Sequence, residues 1–157
     1  MNDLEVRIVR LEPMRVMCFN GFGPSPEQQA WGKMIAWVKE KGLLEENKTP
    51  RFFGYNNPDP SPGSPNYGYD FWVTVDSNLQ PDGDARVIDF QGGLYAVTRC
   101  KGVDNISTTW KKLVAWMEQS PYRHAHHQWL EEHIYPFAMA PQNQSELVLD
   151  LYLPVIG

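Results

Sequence analysis

Apolar residues recur at a helical spacing in two segments of the chain. The segments "AWGKMIAWVKEKGLL" (30–44) and "TWKKLVAWMEQSPY" (109–122) both place apolar side chains at positions i, i+3, i+4 and i+7, the pattern of an amphipathic helix. They share the frame W-x-K-[ML]-[IV]-A-W, in which Trp31 corresponds to Trp110. This likeness predicts an internal repeat.

Segments rich in β-branched and aromatic residues flank each predicted helix, one before it and two after it. The predicted strands are 14–21, 51–56 and 69–75 in the first half, and 94–102, 127–131 and 149–155 in the second. The sequence therefore predicts an α+β domain made of two tandem βαββ units. Each unit is too small to bury its helix face and its sheet face alone, which favours pairing of the units about a pseudo-two-fold axis.

The predicted boundaries make residues 1–157 a single domain. Repeat one spans about 5–76, a linker spans about 77–85, and repeat two spans about 86–157. The linker is assigned because "DSNLQPDGDA" carries the Pro, Gly, Asp and Asn residues typical of a connection. The Pro- and Gly-rich stretch 56–68 is predicted to be a loop with little backbone freedom.

Composition narrows the class of protein. A formal net charge of -5 argues against a nucleic-acid surface and favours neutral or cationic partners.

No apolar run approaches the ~20 residues that span a bilayer, and the N-terminus lacks a signal peptide's basic region. Cys18 and Cys100 are predicted to be buried in a reducing compartment, so a cytoplasmic protein is expected. The 6 Trp, 7 Tyr and 7 Phe residues are a heavy aromatic load.

Common catalytic and cofactor motifs do not occur in the sequence. The spacing of the four histidines fits no metal-binding pattern, and we expect neither a metal nor another cofactor. Neither cysteine has a motif of an activated thiolate, and G-x-S-x-G is absent. "GFGPSP" (21–26) lacks the third Gly and the Lys of a phosphate-binding loop.

The segment "HHQWLEEHIYP" (126–136) sets two acids among aromatic residues and histidines. If 127–131 is a strand, alternation places Glu131 on the face of Trp129 and places Glu132 on the other face. A carboxylate beside indoles can bind a cation, which the rings also attract, or it can act as an acid or base. A solvent-exposed strand end is the third interpretation, and these residues alone leave all three open.

Aromatic residues occupy equivalent positions in the two predicted units. Trp72 and Tyr152 each follow an aspartate, Asp70 or Asp150, by two residues, so each pair shares one face of its strand. Trp31 and Trp110 begin their helices and are candidates to face a groove. If the strand faces line the space between the helices, acids and aromatic rings of both units meet in one cleft.

Several stretches together resemble the GyrI-like small-molecule-binding family, which also forms the effector-binding domain of many AraC- and MerR-type regulators. They are "RFFGYNNPDPSPGSPNYGYDFWVTV", "GGLYAVTRCKG", "HQWLEEHI" and "DLYLPV", and the resemblance covers nearly the whole chain. It implies a curved antiparallel sheet with a ligand cleft between two helices. It also implies that Glu131 anchors cationic, aromatic ligands and that Trp72, Asp150 and Tyr152 are cleft residues.

The preferred hypothesis is a stand-alone protein that senses or sequesters a hydrophobic, cationic or aromatic ligand. Glu131 would supply charge, and Trp72, Trp129 and Tyr152 would supply aromatic walls. No residues remain for a helix-turn-helix, so direct DNA binding is not expected. The segment after Glu131 contains aromatic and thioether side chains that could form a lid: Tyr135, Phe137 and Met139.

Two alternatives belong to other classes of protein. Some relatives of the family are hydrolases of strained electrophilic natural products, for which Glu131 and Tyr152 are the candidate catalytic residues. The other alternative is a protein-interaction module similar to a gyrase inhibitor, which would present surface acids such as Glu45 and Glu46 to a DNA-handling partner.

Overall fold

Helices and strands alternate along the chain in an α+β order. The structure is a computed structural model that describes residues 4–43, 50–57, 61–134 and 147–157. The elements are β1 (Arg7–Leu11), β2 (Met14–Gly23), α1 (Pro26–Glu40), β3 (Phe52–Asn56), β4 (Tyr67–Thr74), β5 (Arg86–Phe90), β6 (Gly93–Lys101), α2 (Ile106–Glu118), β7 (Arg123–His124), β8 (Leu130–His133) and β9 (Val148–Ile156). A short 3-10 helix, Val103–Asn105, leads into α2.

The chain divides into two compact units. Unit 1 comprises residues 1–13 and 91–157, and unit 2 comprises residues 14–90. This grouping differs from the predicted repeats, because β1 pairs with β6 and therefore belongs to the unit formed by the second half. In the same way β5 pairs with β2 and belongs to the unit formed by the first half.

Unit 2 is a four-stranded antiparallel sheet in the order β3-β4-β2-β5. Helix α1 packs on the sheet face that carries Phe19 and Phe71: Trp37 lies 5.7 Å from Phe19 and Trp31 lies 5.5 Å from Phe71, ring centre to ring centre. The buried residues of the helix follow its apolar stripe, as the sequence predicts. They are Pro26, Ala30, Met34, Trp37 and Val38.

Unit 1 is an antiparallel sheet in the order β1-β6-β9-β8, with β7 paired to the end of β9. Two residues one turn apart in α2, Leu113 and Met117, are buried in a cluster with one face of β9. The β9 residues of this cluster alternate along the strand: Leu149, Leu151, Leu153 and Val155. The intervening residues, Asp150 and Tyr152 among them, therefore lie on the face turned away from α2.

The predicted α+β class is confirmed. Both helices begin three or four residues before their predicted starts, and α1 starts with a proline at its first position, where the missing N–H costs nothing. Strands β1, β5 and β7 were not predicted. Each unit contains the order βαββ, as β2-α1-β3-β4 and as β6-α2-β8-β9, whereas the predicted pseudo-two-fold relation stays a prediction. Within the described ranges no helix is long and apolar enough to cross a membrane.

Truncation of the α2 contact tests the packing of unit 1. Leu113 is completely buried, so Leu113→Ala should lower the free energy of unfolding by about 2–5 kcal/mol through lost burial and the cavity left behind. Urea denaturation followed by far-UV circular dichroism measures the change. Lys111→Ala, on the exposed side of the same helix, should stay within about 0.5 kcal/mol of wild type. Equal losses in both variants would contradict this packing.

Candidate functional site

Strand β8 carries the two adjacent glutamates. It spans Leu130–His133, so it starts three residues later than predicted. Glu131 lies opposite Leu151 of β9, and Glu132 lies opposite Asp150. Because residues that face each other in antiparallel strands share a side of the sheet, the two carboxylates point to opposite faces.

Glu131 lies on the face that packs against α2. Its Oε2 accepts a hydrogen bond from the Trp110 indole Nε1 at 3.1 Å. The rings of Trp110 and Trp129 lie 5.2 Å apart, so the structure brings together three of the predicted site residues. We call Glu131, Trp110 and Trp129 the α2-face site. The sequence reading missed His124 of β7, whose ring meets Trp129 edge-on at 5.2 Å.

The α2-face site combines negative charge with accessible aromatic surface. An indole N–H is a neutral donor, so it orients the Glu131 carboxylate without cancelling its charge. Glu131 is half-buried, whereas Trp129 is 36% exposed and open to an incoming molecule. A carboxylate close to indole rings is a combination that attracts organic cations.

Tyr152 pairs with the other glutamate. Its hydroxyl donates to Glu132 Oε1 at 2.7 Å, and both residues are buried. The Tyr95 ring meets the Tyr152 ring edge-on at 5.4 Å, and burial raises the pKa of Tyr95 far above its usual value. The sequence reading coupled Tyr152 with Glu131, but the register of β8 against β9 places them on opposite faces. We call Glu132 and Tyr152 the opposite-face pair.

Asp150 is engaged by two arginines. Arg99 binds it in a bidentate manner, through Nε at 2.9 Å and Nη2 at 3.2 Å, and Arg7 Nη2 lies 3.0 Å from Oδ2. The hydrogen bonds to Asp150 raise the pKa of Arg99. Asp150 is only 3% exposed, so the two arginines compensate a buried negative charge, and its predicted role in ligand binding stays a prediction. Arg7 could not be assigned from the sequence because β1 was not predicted, and Arg99 could not because the pairing of β6 with β9 was not predicted.

The remaining predicted site residues, Trp31 and Trp72, belong to unit 2. Trp31 is half-buried and lies on the α1 side of the sheet, against Phe71. Trp72 alternates with Phe71 and so faces away from α1. It is 3% exposed and donates from Nε1 to the Tyr55 hydroxyl at 3.2 Å. Within each unit, therefore, the predicted residues divide between the helix side and the other side of the sheet.

The two units differ at the position of Glu132. In unit 2 Tyr55 lies opposite Asp70, and in unit 1 Glu132 lies opposite Asp150. Asp70 is held by amide donors from Asn20 at 2.6 Å and Asn57 at 3.0 Å. Beside Asp70, unit 2 therefore has a hydrogen bond between Trp72 and Tyr55. Beside Asp150, unit 1 has one between Tyr152 and Glu132. Only the unit 1 pair contains a carboxyl group.

Some predicted features lie outside the described residues: Tyr135, Phe137 and Met139 of the predicted lid, and the surface acids Glu45 and Glu46. In the part of the chain that is described, no group of three or more His, Cys, Asp or Glu side chains could hold a metal ion. Cys18 and Cys100 are both buried and unbonded to each other, and burial raises the pKa of the Cys18 thiol to about 11.

Comparison with known proteins identifies the family. A model described as the GyrI-like small molecule binding domain matches residues 4–156. A search of curated proteins finds no match. The chain is similar in structure to the EcmrR C-terminal domain, with a TM-score of 0.72 and 15% identity over 98% of both chains. It spans 57% of the EcmrR chain in a complex of EcmrR with DNA.

Two further structures have the same fold. A hydrolase from Listeria innocua has a TM-score of 0.67 and 13% identity, covering 97% of this chain and 92% of the hydrolase. SAV2435 bound to tetraphenylphosphonium has a TM-score of 0.56 and 12% identity, covering 98% of this chain and 94% of that one. At these identities the likeness concerns the fold.

Removal of the Tyr152 hydroxyl tests the opposite-face pair. Tyr152→Phe leaves the ring in place but takes a donor from the buried Glu132 carboxylate, so the free energy of unfolding should fall by about 1–3 kcal/mol. Guanidinium denaturation measures it. Tyr122→Phe is the control, because the Tyr122 hydroxyl has no hydrogen bond among the described residues and its ring stacks on Trp116. An unchanged stability in Tyr152→Phe would contradict the pair.

Proposed function

Because the chain belongs to the GyrI-like small-molecule-binding family, we propose that it binds a hydrophobic organic cation at the α2-face site, with Glu131 as the anchor. In this role the chain senses or sequesters its ligand and returns it unchanged. The single observation that carries the proposal is the Glu131 carboxylate held by the Trp110 indole beside the Trp110–Trp129 ring pair.

Charge supplies the first part of the interaction. The Glu131 carboxylate accepts a hydrogen bond from the Trp110 indole, a neutral donor that does not itself cancel the negative charge offered to a cationic ligand. Glu131 is half-buried, and a charge pair is stronger in such a place than in bulk water because the effective dielectric is lower.

Aromatic surface supplies the second part. A cation over an indole gains about 0.5–2 kcal/mol by the cation–π effect, and a lipophilic cation also buries apolar area against the rings. Trp129 is 36% exposed, so a ligand can reach it without displacing the core. SAV2435, which shares the fold, is bound to tetraphenylphosphonium, a cation of the class proposed here.

Neutralisation of Glu131 tests the anchor. Glu131→Gln should weaken the binding of tetraphenylphosphonium at least ~10-fold, because the anionic partner of the cation is lost. It should change the binding of triphenylphosphine oxide, a neutral analogue, by less than ~2-fold. Isothermal titration calorimetry measures both. Glu118→Gln, an exposed acid of α2, is the control for general charge effects.

The anchor assignment fails if Glu131→Gln binds the phosphonium as wild type does. It also fails if Glu118→Gln weakens binding as much as Glu131→Gln, because the effect would then come from net charge.

A second candidate function, hydrolysis of an electrophilic neutral compound, is favoured by the opposite-face pair. The Glu132 carboxylate lies 2.7 Å from the Tyr152 hydroxyl, within the range for proton transfer. In such a reaction Glu132 would take a proton from the attacking water, and Tyr152 would give one to the leaving oxygen as its bond to carbon breaks. The fold is shared with a hydrolase from Listeria innocua.

Turnover distinguishes the two candidates. A hydrolase should convert styrene oxide and water to the diol, and Glu132→Gln should reduce the rate at least ~10²-fold by removing the base. Glu131→Gln should keep most of that rate, since Glu131 lies on the other face. Chromatographic analysis of the product measures it. No diol above the buffer control, or equal loss in both variants, would exclude this second function for the pair.

A further inference from the structure

Unit 2 contains a carboxylate that the site described above does not use. Glu27 lies in the first turn of α1, and both of its oxygens are within hydrogen-bond distance of the Tyr67 hydroxyl, at 2.8 and 2.7 Å. Tyr67 belongs to β4, so the bond joins the start of the helix to the sheet. Both residues are half-buried.

Other aromatic side chains lie on the same side of α1 and on the same face of β4 as the two residues of this contact. Trp31 follows Glu27 by one helical turn and therefore lies on the same side of α1. Tyr67, Tyr69 and Phe71 alternate along β4 and share one face. Trp31 meets Phe71 edge-on at 5.5 Å, and Tyr69 meets Phe71 edge-on at 4.9 Å.

A glycine keeps room for one of these rings. A Cβ atom added at Gly54 of β3 would collide with the hydroxyl end of the Tyr69 side chain. In unit 1 the residue at the corresponding place is Glu131: Gly54 lies opposite Phe71 of β4, as Glu131 lies opposite Leu151 of β9. Unit 2 therefore has aromatic surface where unit 1 has its acid, and its acid comes from the helix instead.

The ordinary reason for an acid in the first turn of a helix does not account for these contacts. Such an acid interacts favourably with the helix dipole from a solvent-exposed position and needs no partner on a sheet. Glu27 is instead half-buried against a phenol and lies one turn before an indole.

The phenol orients Glu27 and leaves its charge in place. Burial, together with the adjacent carboxylate, raises the pKa of Tyr67 to about 12, so at neutral pH the hydroxyl keeps its proton and donates. One donated proton occupies a fraction of the carboxylate's lone-pair sites, and the oxygens can still face a cation. The chemistry matches that of the α2-face site: a carboxylate fixed by a neutral aromatic donor beside aromatic rings.

We propose that Glu27, oriented by Tyr67 and one helical turn before Trp31, is a second cation-binding carboxylate of this protein, in unit 2. Its ligand class is a hydrophobic organic cation such as a phosphonium or quaternary ammonium. The choice of ligand class rests on the proposed function, whereas the contacts that form the site do not involve Glu131.

Indole resonances can report on the two carboxylates separately. The probe is tetraphenylphosphonium titrated into ¹⁵N-labelled full-length protein, with the Trp31 and Trp110 indole N–H signals assigned by Trp→Phe variants. We expect the cation to shift the Trp31 signal saturably. Glu27→Gln should weaken the affinity read at Trp31 at least ~10-fold, because the anionic partner is lost. Tyr67→Phe should weaken it less, because it disorders the carboxylate without removing it.

The matched control is Glu40→Gln, an exposed acid at the other end of α1, which should leave the Trp31 titration unchanged. Triphenylphosphine oxide should give no dependence on Glu27. The inference is overturned if Trp31 does not respond to the cation, if Glu27→Gln titrates as wild type, or if Glu40→Gln has the same effect. The Trp110 signal tests Glu131 in the same samples. If the cation shifts the Trp31 signal but not the Trp110 signal, the result counts against the proposed function alone.

Discussion

The side-chain alternation of strand β8 determines what the candidate site can be. Glu131 and Glu132 are neighbours in sequence, but the pleat sends one carboxylate to the face covered by α2 and the other to the opposite face. The hydrogen bonds of β8 to β9 fix this assignment, since a shift of one residue would exchange the two acids. The register thereby gives Glu131 an indole partner and Glu132 a phenol partner.

The hydrogen-bond donors identified above differ between Asp150 and the glutamates of the proposed sites. Asp150 is buried against two guanidinium groups, and its negative charge is compensated within the protein. Glu131, Glu132 and Glu27 each accept a hydrogen bond from an indole or a phenol, which are neutral donors. A neutral donor orients a carboxylate without itself cancelling the negative charge, whereas a guanidinium group does both.

The sequence predicted elements whose signal is local. Helical periodicity located α1 and α2 to within a few residues, and alternation across 127–131 predicted that the two glutamates diverge, as the structure has them. The edge strands β1 and β5 were missed because each is defined by pairing with a segment distant in the chain. The arginine partners of Asp150 were missed because they depend on the pairing of β1 with β6 and of β6 with β9, which no local pattern shows.

The contacts between aromatic residues likewise could not be predicted from local sequence patterns alone. Trp110 and Trp129 meet because α2 packs on the Leu151 face of β9, and this contact cannot be deduced from the spacing of the tryptophans. Glu131 was predicted as the partner of Tyr152, whereas the actual partner is the next residue, Glu132. The pairing of β8 with β9 decides this, and it cannot be deduced from either segment alone. The contact between Glu27 and Tyr67 joins a helix start to a strand 40 residues later, and no motif marks it.

The most direct test of a charge-anchored site on the α2 side is the position of a heavy-atom ligand. Crystals soaked in tetraphenylarsonium would reveal the arsenic atom in an anomalous difference map. The account predicts an arsenic peak beside Glu131, within about 6 Å of the Trp110 or Trp129 ring centre, and its loss in crystals of Glu131→Gln. An arsenic peak at Tyr152 and Glu132, with none beside Glu131, would contradict it.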